Sequence, residues 1–166
     1  MYLFQEDEDE IVQYDPEVYE GDLGPFLAIP PGRADDSEKA IAERTAGELA
    51  VNMGDYELAI YKFTDAMTCG PVTAHLLACR ADCQIKLLKP YAAISDCNAA
   101  LELDPHNSVA LNLRGKAWRH LGKYEEAKKD ISAGQVTNFD PAYGDLQQYL
   151  NSKVTGVKSN CPSQTS

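Results

Sequence analysis

A 34-residue internal repeat constrains this chain more than any other feature. Gly47, Ala81 and Gly115 lie 34 apart, as do Ala59, Ala93 and Ala127. Phe63, Cys97 and Ile131 keep the same step, so do Gly54, Leu88 and Gly122, and Pro71 pairs with Pro105. A fixed period in this range belongs to solenoids. Each unit is a helix-turn-helix pair that cannot bury its apolar face alone and must stack on its neighbours. The curved groove that results usually binds another protein rather than performing chemistry.

The spacing places the elements. Helix A of the first unit starts at Ser37, after Asp35 and Asp36, and runs to Asn52, with Gly54-Asp55 as the turn. Its helix B covers Tyr56 to Cys69 and is broken by Gly70-Pro71. The second unit begins at Val72 and breaks at Leu88-Lys89, where Pro90 opens helix B in a tolerated first-turn position. It ends at Asp104-Pro105. The third starts at Asn107 or Ser108, turns at Gly122 and ends near Asn138. There Phe139 takes the closing proline's place, and Pro141 comes two residues late. Leu146, Tyr149 and Leu150 share one face of a short helix from Ala142 to Lys153, the terminal cap a solenoid needs.

The expected architecture is therefore all-α: an acidic N-terminal arm (1–36), three repeats with a C-terminal capping helix (37–153), and a tail (154–166). The periodic Gly and Ala residues let helices A and B approach closely. Tyr56, Phe63, Leu101, Trp118 and Tyr124 fill the space between them.

Charge limits the partners. The formal net charge is −11, yet residues 1–40 hold 12 acidic and 2 basic side chains against 14 and 13 in the remainder. The repeat body is nearly neutral. An acidic arm argues against nucleic-acid phosphate and anionic lipid as partners. No apolar run approaches the ~20 residues that cross a bilayer, and no signal pattern opens the chain, so a cytoplasmic location is expected. Prolines and glycines between Gly21 and Gly32 break any long helix in the arm. Val18, Tyr19, Leu23, Phe26, Leu27 and Ile29 are nevertheless too apolar for a plain solvated tail. Part of Glu17 to Pro31 is expected to lie extended against the repeats, where it could cover the groove.

Catalysis is not expected. The chain has no Gly-rich phosphate loop, no nucleophile motif and no paired acid and base in one pocket. Its five cysteines are an odd number without secretory context, which argues against a disulfide framework. His75, Cys79 and Cys83 fall at i, i+4 and i+8 of one helix. Eight helical residues rise about 12 Å, whereas zinc ligands sit about 2.0–2.3 Å from the ion, so the three cannot share one. No metal or other cofactor is expected.

The period and the unit resemble the tetratricopeptide repeat (TPR). Two stretches resemble one family of TPR proteins more narrowly, the Hip co-chaperones of heat-shock seventy (DnaK-type) chaperones. The run from Lys86 to Cys97, KLLKPYAAISDC, is similar to that family's second repeat. Arg114-Gly115-Lys116-Ala117-Trp118-Arg119-His120-Leu121-Gly122, with Glu125, Glu126, Ala127 and Asp130, is similar to its third. Ala59, Ile60 and the run Phe63 to Ala66 extend the likeness to the first repeat. The resemblance implies a non-enzymatic adaptor that contacts the nucleotide-binding domain of the chaperone and holds its ADP state. The family's dimerisation segment and post-repeat regions are not seen in this chain, and some similar proteins add a thioredoxin domain that it also lacks. Dimerisation and client handling are not carried over. The alternative is a TPR scaffold for another cytosolic protein.

A second TPR class, the carboxylate-clamp co-chaperones, resembles the chain in fold and grips a C-terminal Glu-Glu-Val-Asp tail with cationic and amide side chains. The register puts Arg44, Glu48, Cys79, Val109 and Leu113 at the clamp positions. Only Arg44 keeps the needed charge, so this clamp is not expected to form. The groove is expected to use Arg44, Glu48, Cys79, Asp82, Lys86, Asn112, Lys116 and Arg119, with His75 beside them. Lys116 and Arg119 match the family motif most closely. A mixed-sign lining of this kind suits a folded protein surface.

Overall fold

The structure, a computed structural model of the chain, describes residues 37–158. Seven α-helices follow one another: α1 (Ser37–Asn52), α2 (Tyr56–Cys69), α3 (Ala74–Lys86), α4 (Pro90–Leu103), α5 (Ser108–His120), α6 (Tyr124–Thr137) and α7 (Gly144–Lys158). A 3-10 turn, Pro141–Tyr143, precedes the last. No strand occurs among the described residues. Helices α1/α2, α3/α4 and α5/α6 are the three repeat pairs, and each pair packs on the next. The arm (1–36) and its expected contact with the repeats lie outside the described residues.

The repeat reaches down to single hydrogen bonds. Asp55, Lys89 and Lys123 N–H groups donate to the carbonyls of Ala50, Gln84 and Trp118 at 3.0, 2.8 and 2.9 Å. These six-to-one bonds close helix A in each unit and satisfy a carbonyl that the helix cannot. The residue before each donor is left-handed: Gly54 at φ 77°, Leu88 at 55° and Gly122 at 68°. Glycine adopts this region freely, whereas Leu88 holds it under strain. Each helix B ends in an extended residue, Gly70, Asp104 or Asn138, whose N–H returns to Ala66, Ala100 or Gly134.

Close approach explains the periodic small residues. A Cβ on Gly115 would stand 2.7 Å from Ile131 Cγ1, and one on Gly47 would stand 2.7 Å from the Phe63 ring. The core then runs through the stack as three adjoining apolar clusters. The first joins Ala59, Phe63 and Met67 to Leu76, Leu77 and Cys83. The second joins Ala81, Ala93 and Cys97 to Leu113 and Ala117. The third joins Ala127 and Ile131 to Leu150, with Trp118, Tyr124 and Tyr149 around them.

A buried polar ladder runs beside this core. Arg80 Nε and Nη2 donate to the two oxygens of Asp96, both at 2.7 Å, and Nη1 donates to Thr64 Oγ1 at 3.0 Å. One repeat later Arg114 donates to both oxygens of Asp130 at 2.6 and 2.8 Å, and to Asn98 Oδ1 at 2.8 Å. Each arginine therefore binds its own helix B and the helix B before it. The first unit lacks the pair, with Ala46 and Lys62 at those positions. Lys62 instead meets Glu43 at 2.8 Å on a more open surface.

The C-terminal boundary moves. The tail was expected from residue 154, but α7 continues to Lys158. Leu150 and Val154, one turn apart, are both buried, and this carries the helix past Lys153.

The ladder gives a stability test. Arg80→Met leaves Asp96 buried without its partner and is expected to cost about 3–5 kcal/mol. Adding Asp96→Leu should recover much of that loss, because two apolar groups need no counter-charge. Lys62→Met should have a far smaller effect. Urea denaturation of the three variants decides it, and equal losses at Arg80 and Lys62 would refute the account.

Candidate functional site

The first helix of each repeat supplies the candidate surface. Glu48, Asp82 and Lys116 occupy one repeat position, and Ile41, His75, Val109 and Tyr143 another, seven residues earlier in each unit. At that second position Ile41, His75 and Val109 are exposed and Tyr143 is partly so. Polar and apolar lines thus run side by side across the helices.

Arg44 and Glu48 pair on α1 with 3.6 Å between them. Cys79 Sγ lies 3.6 Å from His75 Nε2 on α3. Burial, with the Glu48 and Asp82 carboxylates adding to it, pushes the Cys79 thiol up to about 11. Cys83 is pushed up to about 12 by burial and then by Asp82. Thiols so placed stay protonated, the opposite of what nucleophilic or redox chemistry requires. No cluster of three or more metal-ligating side chains is present among the described residues.

On α5 the favoured cations are not free in solvent. Lys116 Nζ lies 4.8 Å from the centre of the Tyr143 ring, and the Arg119 guanidinium lies 5.4 Å from that of Tyr149. Both rings belong to the capping segment. Burial lowers the Lys116 pKa, opposed by Asp82 and Asp140 and reinforced by Lys86 and Arg119. Lys116 thus sits between the acidic middle of the surface and a cationic end. Tyr143 itself is pushed up to about 12 by burial, then by Asp140 and Asp82, so its phenol keeps its proton. Asp82 bears on Cys79, Cys83, Lys116 and Tyr143 alike.

The structure brings together Arg44, Glu48, Cys79, Asp82, Lys86, Lys116 and Arg119. It separates Asn112, which is buried against Gly134 with its Oδ1 lacking a hydrogen-bond partner. The reason is helical phase: Asn112 lies one turn before Gly115, on the side of α5 that meets α6, and Ala78 one repeat earlier is buried too. Arg114, in a segment that carries the resemblance, is turned with Arg80 into the ladder. At the clamp positions Glu48 neutralises Arg44, Leu113 is buried and Val109 is an exposed apolar group. Tyr143 and Tyr149 are the residues that the sequence reading leaves out. The period itself holds the signal for one of them, since Tyr143 follows Val109 by 34.

No family model matches the sequence. Among curated relatives, the chain is 33% identical to the 58 kDa phosphoprotein of Plasmodium berghei, over 61% of this chain and 24% of the relative. It is 28% identical to the TPR repeat-containing thioredoxin TDX of Arabidopsis thaliana, over 93% of this chain and 43% of the relative. The chain thus spans a quarter to under half the length of these relatives. Among solved structures, the first TPR of Spaghetti (RPAP3) bound to HSP90 peptide SRMEEVD is similar with a TM-score of 0.69 and 30% identity. That likeness covers 75% of this chain and 99% of the solved one.

The raised thiols give a direct prediction. With Cys79 at about 11, roughly one thiol in a thousand is ionised at pH 8. Its alkylation by iodoacetamide should be about a hundredfold slower than that of an unperturbed cysteine, and should rise tenfold per pH unit up to pH 10. A rate that levels off below pH 9 would contradict the placement of Cys79 beside Glu48 and Asp82.

Proposed function

Because the chain belongs to the tetratricopeptide-repeat family, we propose that it is a non-enzymatic co-chaperone adaptor. Its partner is the nucleotide-binding domain of a heat-shock seventy chaperone, whose ADP state it favours. The observation that carries this reading is the mixed-sign surface on α1, α3 and α5, where Lys86, Lys116 and Arg119 form a cationic end beside Asp82 and Glu48. Lys116 and Arg119 belong to the segment that resembles the third Hip repeat. A partner with higher affinity for the ADP form slows nucleotide release by stabilising that form, and the nucleotide tightens the adaptor by the same factor.

The similar Spaghetti domain is bound to an HSP90 peptide ending in EEVD. Here the clamp positions hold Glu48, Cys79, Val109 and Leu113, which cannot bond two carboxylates with charge assistance. The adaptor therefore reads a folded surface instead of a C-terminal tail. A specific observation favours a second reading, a scaffold for a different cytosolic protein. Tyr143 and Tyr149 already cover the two motif cations, which leaves exposed His75, with half-buried Cys79 and Asp82 beside it, at the centre of the surface.

Calorimetric titration with the isolated nucleotide-binding domain tests the first reading. The expected Kd is micromolar, about −8 kcal/mol, and tighter with ADP than with ATP. Lys86→Glu should weaken it at least fivefold without touching the cap, and Lys116→Glu with Arg119→Glu at least tenfold. Absence of heat with both nucleotides removes the reading. A peptide ending in Glu-Glu-Val-Asp should bind more weakly than about 10 μM, a threshold near −7 kcal/mol. Tighter binding would show that the groove does use a clamp.

A further inference from the structure

A solenoid exposes an unsatisfied face at each end unless something covers it. At the C-terminal end α7 does so, burying Leu150 and Val154. The other end is open among the described residues, and the repeat register shows what is missing. In the later repeats, one line of helix-A residues packs against the preceding unit: Leu76, Arg80, Cys83 and Leu87 on α3 and its turn, and Ala110, Arg114, Ala117 and Leu121 on α5 and its turn. The same positions on α1 and its turn are Ala42, Ala46, Leu49 and Met53. No helix pair precedes them among the described residues, and Leu49 is 59% and Met53 73% exposed. Five of the nine large exposed apolar side chains among the described residues belong to this first repeat. The polar member of the line has also changed, since Ala46 stands where Arg80 and Arg114 reach back to a preceding helix.

We propose that the segment from Val18 to Ile29 docks on this open face of α1, along Ala42, Ala46, Leu49 and Met53, and serves as the N-terminal cap of the solenoid. The occupant follows from where that segment joins. Residues 1–36 enter the fold at Ser37, at one end of the uncovered line. They carry Val18, Tyr19, Leu23, Phe26, Leu27 and Ile29, apolar groups with the character of the side chains that fill this line in later repeats. Pro30, Pro31 and Gly32 stand between that set and Ser37, and residues of this kind reverse a chain. Length permits the return. The 11 residues from Phe26 to Asp36 span up to about 36 Å extended, against about 24 Å for the 16-residue α1. This placement differs from a segment lying over the groove, because the line on α1 faces along the solenoid axis where a preceding unit would stack. It does not rest on the chaperone reading.

Photocrosslinking of the full chain separates the possibilities. A benzoylphenylalanine is placed at Leu49 in one variant and at Val109, on the groove, in another. Irradiation at low concentration is followed by protease mapping. The expected result is an intrachain adduct from position 49 to residues 18–29 and none from position 109. An adduct from 109 instead, adducts between chains, or no adduct from 49 would each overturn the proposal. Amide exchange gives a second reading on the same chain. Leu49→Asp with Met53→Asp should speed exchange of residues 23–29 at least tenfold, and an unchanged rate would overturn it equally.

Discussion

Each repeat of this solenoid after the first is fastened by an arginine that reaches two helices at once. Arg80 and Arg114 close a bidentate pair with an aspartate of their own helix B and spend a third donor on the helix B before it. Apolar contact between units is non-directional; the fork of a guanidinium is not. The ladder therefore sets the phase between successive pairs. That phase decides which helix-A side chains reach the concave side. Helical phase within α5 turns Asn112 inward while it leaves Lys116 and Arg119 on the surface.

The surface so produced is electrostatically graded rather than uniformly charged. Arg44 and Glu48 cancel at one end, Asp82 dominates the middle, and Lys86, Lys116 and Arg119 gather at the other. Two aromatic rings from the capping segment lie over the last two. A ring face attracts a cation without neutralising it, so these side chains keep their charge while their position is fixed. Any partner that engages them meets a pre-positioned pair and a share of aromatic surface, which lowers the ordering cost of binding.

Period made most of the fold legible. Turns at Gly54, Leu88 and Gly122 and breaks at Pro71 and Pro105 recur because one backbone conformation recurs, and their spacing survives substitution by a residue as unsuited as Leu88. The reach of α7 was less legible, since Phe139 replaces the breaker that would have marked its approach and nothing stops the helix at Lys153. At the candidate site, spacing picks out the line Glu48, Asp82 and Lys116, exposed at its first member and half-buried at the other two. It places Asn112 wrongly because one turn of helix separates a surface position from the one facing α6. The rings over Lys116 and Arg119 come from the capping segment: the period reaches Tyr143, 34 residues after Val109, but not Tyr149, whose counterpart one repeat earlier is Gly115.

The replacement of the buried pair by Glu43 and Lys62 in the first repeat has a consequence for how the molecule yields. Stability in a stacked array is a sum of unit and nearest-neighbour terms, and those terms are unequal here. The second unit is locked by a fully buried two-helix arginine fork and the third by a partly buried one; the first has a single, more solvated pair and, with Ala46 at the arginine's position, no fork. Counted over the described ion pairs, the array is polarised, with its weakest fastening at α1. Where these pairs decide, opening is expected to begin at the amino-terminal unit, so Arg44 and Glu48 belong to the less firmly fastened part of the groove and Asp82 and Lys116 to the more firmly fastened part.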